Sequence, residues 1–136
     1  MPRKTDSNNP ADWLYLVECD LEALLAMGDQ ELGYSLCRGK AAEVLEKVIK
    51  AELIRCGWPL EKTHDLGKLH EWLRPHNPVM AAAAQQLCDD LAEAYFTDRY
   101  PGFDLDDPDW PKLRQQLREI EALAAQVQQR LPAKTT

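Results

Sequence analysis

Two short segments carry the residue types best suited to chemistry. Lys62-Thr63-His64-Asp65-Leu66 follows one long amphipathic stretch, and Thr97-Asp98-Arg99-Tyr100-Pro101-Gly102 ends a second one about thirty residues later. The first sets hydrogen-bond donors and a titratable imidazole ahead of a helix start, where free backbone N–H groups and the helix dipole attract an anion. Lys62 adds a positive charge. In the second, Arg99 offers a planar fork for phosphate or carboxylate, and Tyr100 a ring on which a base can stack. Pro101 forces the chain out of the helix and so fixes the exit of Arg99. A plainer reading stands beside each. Thr63 or Asp65 caps a helix while His64 bonds a neighbouring carbonyl to fix the turn. Arg99 pairs with a nearby aspartate such as Asp98 or Asp104, and Tyr100 packs under the loop. On the functional reading, Lys62, His64, Arg99 and Tyr100 line one polar groove for a phosphate-bearing ligand.

Other constellations are weaker. The acidic run Asp104-Leu105-Asp106-Asp107-Pro108-Asp109 invites calcium, but an EF-hand loop needs glycine at its sixth place and glutamate at its twelfth. Counted from Asp104, those places hold Asp109 and Gln115, so a solvated loop ending in a helix cap is expected. His64, His70 and His76 recur every six residues, which does not put them on one helical face, and no cysteine pair accompanies them. No metal or cofactor is therefore expected. There is no glycine-rich phosphate loop, nucleophile elbow or His-Glu-x-x-His.

A chain of 136 residues is one domain's worth and can bury a real core without staples. No apolar run approaches the roughly 18 residues of a membrane span. Met1 to Asn9 is polar with no apolar segment behind it, unlike a secretory signal, and cytoplasmic placement is expected. Cys19, Cys37, Cys56 and Cys88 all fall in expected helices without short spacings; they are read as reduced and packed as small apolar side chains. The net charge of −7 disfavours extended nucleic acid, whose phosphates need a basic field. A local basic site on an assembled dimer, or work beside a basic partner, is compatible with it.

Helical periodicity accounts for almost the whole chain. Asn9 or Asp12 can cap a first helix with Pro10 in its first turn; Trp13, Leu16, Val17, Leu21, Leu24 and Leu25 form its stripe, and Gly28 ends it. A second helix is expected from about Gln30 to Cys56, striped by Leu32, Leu36, Leu45, Ile49, Leu53 and Cys56 and stopped by Gly57-Trp58-Pro59. Asp65 can cap a short helix with Leu66, Leu69, Trp72 and Leu73, ended by Arg74-Pro75. Asn77 caps a fourth, with Pro78 at its first position and Met80, Ala84, Leu87, Cys88, Leu91 and Tyr95 on its buried face. The small residues Ala81 to Ala84 allow another helix to approach closely. Asp109 caps a last helix whose stripe of Leu113, Leu117, Ile120, Ala124, Val127 and Leu131 follows a heptad spacing. No segment reads as a strand. The pattern predicts an all-α, up-and-down antiparallel bundle of four long helices and one short helix. It occupies residues 10–131 between polar, disordered tails at 1–9 and 132–136. Leu45, Ile49, Leu87, Leu91, Leu117 and Ile120 are expected in the core.

The Lys-Thr-His-Asp-Leu turn and the Arg-Tyr-Pro break, each after an apolar helix, resemble the HEPN domain (higher eukaryotes and prokaryotes nucleotide-binding), over roughly Asp12 to Leu131. The resemblance implies the same bundle, reached independently of the periodicity. It further implies a homodimer, nucleotide binding, and a minimal nucleotidyltransferase as partner in a two-component, toxin–antitoxin-like system. The Ala81–Ala84 face and the last-helix stripe are candidate dimer contacts, or else both face the monomer core. Ribonuclease members of the family carry Arg, four to six residues, then His. After Arg38 the relevant places hold Glu43, Val44 and Leu45; after Arg55, Leu60, Glu61 and Lys62; after Arg74, Val79, Met80 and Ala81; after Arg99, Asp104, Leu105 and Asp106. No histidine lies beyond His76. A non-catalytic binding and interaction module is therefore the expected function. The alternative is a diverged HEPN ribonuclease toxin using His64 and Arg99, and a helical protein without any ligand is the blandest reading.

Overall fold

The computed structural model describes residues 7–94 and 107–132. Five helices follow one another: α1 (Pro10–Gln30), α2 (Tyr34–Arg55), α3 (Leu66–His76), α4 (Pro78–Leu91) and α5 (Trp110–Arg130). Among the described residues there is no strand. Tyr95, Arg99, Tyr100, the Pro101-Gly102 break, Asp104 and the outer parts of both expected tails lie outside the described residues.

The helix starts follow their sequence signals. The side chain of Asn9 accepts from the Ala11 amide, Asp65 from Lys68, Asn77 from Met80 and Asp109 from Lys112. Each gives a partner to one of the amides that a helix start leaves unbonded. Prolines at the beginnings of α1, α4 and α5 have no amide to lose there.

Three boundaries differ from the sequence reading. α1 does not end at Gly28 but runs to Gln30, and Glu31 takes the left-handed conformation, φ 55°. Gly28 lies inside the helix, where a Cβ would stand 3.4 Å from the Arg114 and Leu117 side chains. α2 starts at Tyr34, after Gly33 at φ 62°, so Leu32 and Leu36 drop out of its buried stripe and are exposed. α3 continues through Pro75 to His76, although proline has no N–H to donate to the Glu71 carbonyl one turn back, and the chain turns at Asn77 instead. The end of α2 is as expected. Gly57 at φ 93° donates to the Ile54 carbonyl and Trp58 to that of Leu53, a Schellman closure that requires the left-handed glycine.

Cross-helix contacts fix the directions. Arg114 at the start of α5 donates to the carbonyl of Gly28 near the end of α1, so these two run antiparallel. Arg130 at the other end of α5 reaches Glu52 near the end of α2, and Arg38 near the start of α2 donates to the Asp90 carbonyl near the end of α4. The chain thus goes up, down, up and down through α1, α2, α4 and α5, with α3 turned against α4. His70 Nε2 meets the Ala81 carbonyl at 2.7 Å, the close approach that the alanine run permits.

α2 is the central helix and is buried on nearly all sides between Ala41 and Leu53. All six residues expected in the core are buried. On α1, Leu16 is exposed, and Leu14 takes a place in the core instead. Ala81 and Ala84 face the core, as do Leu113, Leu117, Ile120 and Val127, while Ala82 and Ala83 are exposed and Ala124 and Leu131 are half-buried. The four cysteines are free, but Cys19 is exposed rather than packed. Burial pushes the Cys37 thiol up to about 11 and, with the Asp89 charge, that of Cys88 up to about 12.

Glu52 has no exposed surface. Burial would raise its carboxyl, but hydrogen bonds from Arg55 and Asn77 and the charges of Arg55 and Arg130 outweigh that and hold it below the ordinary value. A lowered folded value contributes stability that is complete above the unfolded value, near 4.5, and is lost as the pH falls through the folded one. The unfolding temperature should therefore fall on acidification below about pH 4.5. Glu52→Gln should unfold at a lower temperature at neutral pH and show a shallower acid decline. Thermal melts followed by circular dichroism at a series of pH values check this.

Candidate functional site

The candidate site grows from the buried centre of α2. Glu46 and Lys50 stand one turn apart and pair at 2.9 Å, with only 4% of either side chain exposed. A charge at that depth is tolerated only when paired and hydrogen-bonded. Trp13 of α1 adds its ring face, 5.5 Å from the Lys50 ammonium.

Glu46 has bonding capacity left after Lys50, and His64 takes it. His64 Nδ1 lies 3.0 Å from Oε1 and 3.2 Å from Oε2 of Glu46. An ionised carboxylate has no proton to give, so Nδ1 carries the hydrogen and donates. That fixes the tautomer: in the neutral ring Nε2 holds the lone pair. The anchor is buried, while 57% of the His64 side chain is exposed. An imidazole held this way can move a proton at Nε2 or, once charged, attract an anion.

The turn around it is tied locally. The Asp65 amide donates to Thr63 Oγ1 at 3.2 Å, and Asp65 Oδ1 accepts from the Lys68 amide at 3.2 Å. Thr63 and Asp65 are thus turn and cap residues, as the plainer reading has it. His64 goes beyond that reading, because it bonds a side chain of a distant helix. Lys62 is exposed two residues before it. Arg99 and Tyr100 lie outside the described residues. Among the described residues, no group of three or more His, Cys, Asp or Glu is placed to hold a metal, and no helix is long and apolar enough to cross a membrane.

A family model described as the HEPN domain matches residues 18–129. The chain belongs to the HEPN family. Glu46, Lys50, Lys62 and His64 all fall within the HEPN match, and only Trp13 precedes it. Comparison with curated proteins and with solved structures gives no significant match.

Glu46 and Lys50 were missed from the sequence, although a signal for them exists. They follow Leu45 and Ile49 directly and stand in the order Glu then Lys at i,i+4, which suits a helical ion pair. Glu46→Ala would leave Lys50 buried without its counter-charge and should cost about 3–5 kcal/mol of stability. His64→Ala removes only an exposed ring and should stay within about 1 kcal/mol of wild type. Urea unfolding of the two variants checks the contrast.

Proposed function

We propose that this HEPN protein is a binding and interaction module whose Lys62–His64 turn, together with Arg99 and Tyr100, accepts a phosphate-bearing ligand such as a nucleotide. The observation that carries this reading is the Glu46–His64 bond. It holds one imidazole in a set orientation in the turn that also carries Lys62, and an imidazole and an ammonium within one turn suit a phosphate. The lack of any Arg-x4–6-His spacing supports binding without RNA cleavage. We further propose that the chain works as a homodimer and beside a minimal nucleotidyltransferase, as the helical half of a two-component, toxin–antitoxin-like system. Its charge of −7 suits work beside a basic partner.

The same bond also favours a second reading. A histidine oriented through Nδ1 by a buried carboxylate is equipped for general base chemistry. On that reading the protein is a diverged HEPN ribonuclease in which His64 and Arg99 serve without the usual spacing.

Nucleotide titration by calorimetry separates the two. Under the binding reading, Lys62→Ala and Arg99→Ala should each weaken affinity by about 1–3 kcal/mol, the loss typical of a charged hydrogen bond. Purified protein should leave RNA intact. Unchanged affinity in Arg99→Ala removes Arg99 from the site, and RNA cleavage abolished by His64→Ala makes the enzyme reading correct. Sedimentation at tens of micromolar, an order-of-magnitude choice, should show a dimer, and monomer alone would exclude it.

A further inference from the structure

α1 and α5 lie side by side and antiparallel, and their outer seam is not filled. Where a bundle seam usually carries large side chains on both helices, α5 presents Ala124 and Ala125. The result is a groove of about 500 Å³. Leu14, Val17, Leu21 and Leu25 of α1 form its apolar floor together with Ala124. Its length follows α1 from Leu14 to Leu25, about three helical turns.

The rim has one sign of charge. Glu18 and Glu22 line the α1 side and Glu121 the α5 side. Among the described residues, no ion pair engages Glu18 or Glu22. Glu121 has Arg118 at 3.8 Å, an exposed pair of little strength. A second copy of this chain is a poor occupant, because a two-fold contact through the groove would set these carboxylates against their own counterparts. The floor calls for aliphatic side chains at helical spacing, the alanines leave room for a helix backbone, and the rim calls for lysine or arginine beside them.

We propose that the α1–α5 groove is a docking site for a basic amphipathic helix, about three turns long, from a partner protein. Leucine-like side chains at i, i+4 and i+7 enter over Leu21 and Leu25, and flanking cations meet Glu18, Glu22 and Glu121. The site shares no residue with the Lys62–His64 turn and does not rest on nucleotide binding there.

The test uses the full chain and a fluorescein-labelled synthetic peptide of about twelve residues, with leucines at i, i+4, i+7 and i+11 and lysines elsewhere. A second peptide carries glutamates in place of the lysines. Fluorescence anisotropy should show the lysine peptide binding and the glutamate peptide not. Ala125→Trp and Gln128→Trp fill the groove without changing its charge and should each weaken binding by at least about tenfold. The double reversal Glu18→Lys with Glu22→Lys should do the same. The reversal of Glu71 and Glu119 to lysine, which lie outside the groove, should leave affinity within about twofold. Both filling positions are exposed; circular dichroism confirms the fold of each variant, and the charge reversal stands as an independent arm. Absence of binding, equal loss from the reversal outside the groove, or indifference to the filling variants would overturn the proposal. So would a dimer in sedimentation that Ala125→Trp dissociates, since a second copy would then be the occupant.

Discussion

The fold depends most on one carboxylate. Glu52 sits in the central helix with no surface exposed and takes hydrogen bonds from Arg55, Asn77 and Arg130. Asn77 does two things with one amide: its oxygen caps α4 and its nitrogen donates to Glu52. The turn between α3 and α4 is therefore tied to the end of α2, and Arg130 brings the end of α5 to the same point. Losing any one donor leaves a buried charge less well compensated, a far larger penalty than losing a surface pair. Three separate elements are thus fixed at one end of the bundle by a group that apolar packing alone would exclude.

Glu46, less than two turns earlier on the same helix, follows the same rule with a different result. Lys50 compensates its charge inside the protein, while its remaining capacity reaches outward to His64. Burial makes the anchor rigid, and the exposed ring inherits that rigidity. The polar residues of α2 thus divide by direction. Glu52 serves the bundle, and Glu46 serves a side chain able to meet a ligand.

HEPN membership fits this arrangement, for the matched region contains both buried carboxylates and the turn. Membership settles the architecture rather than the chemistry, since a fold hosts function through particular side chains. The α1–α5 seam makes the same point from another side. Two alanines and three glutamates turn an ordinary helix contact into an acid-rimmed groove, and no property of a helical bundle requires that.

The sequence by itself determined the helical class, the caps at Asp65, Asn77 and Asp109, and the burial of Leu45, Ile49, Leu87, Leu91, Leu117 and Ile120, while the structure chose Asn9 over Asp12 as the first cap. These are local properties: a cap needs only the next three residues, and an apolar stripe needs only its own spacing. It placed Gly28 as a stop because glycine often ends helices, whereas tertiary packing kept it inside α1, where the α5 side chains come close. It put Leu32 and Leu36 in a stripe that the left-handed Gly33 interrupts. The distant partners of Glu46 and Glu52 were not legible, because those bonds join residues that meet only when the helices pack: His64 is 18 positions from Glu46, and Arg130 is 78 from Glu52. A motif in the chain can mark His64 as a candidate. Only the packing of its turn against α2 decides that a buried carboxylate holds it, because a contact between distant segments depends on the topology of the whole bundle.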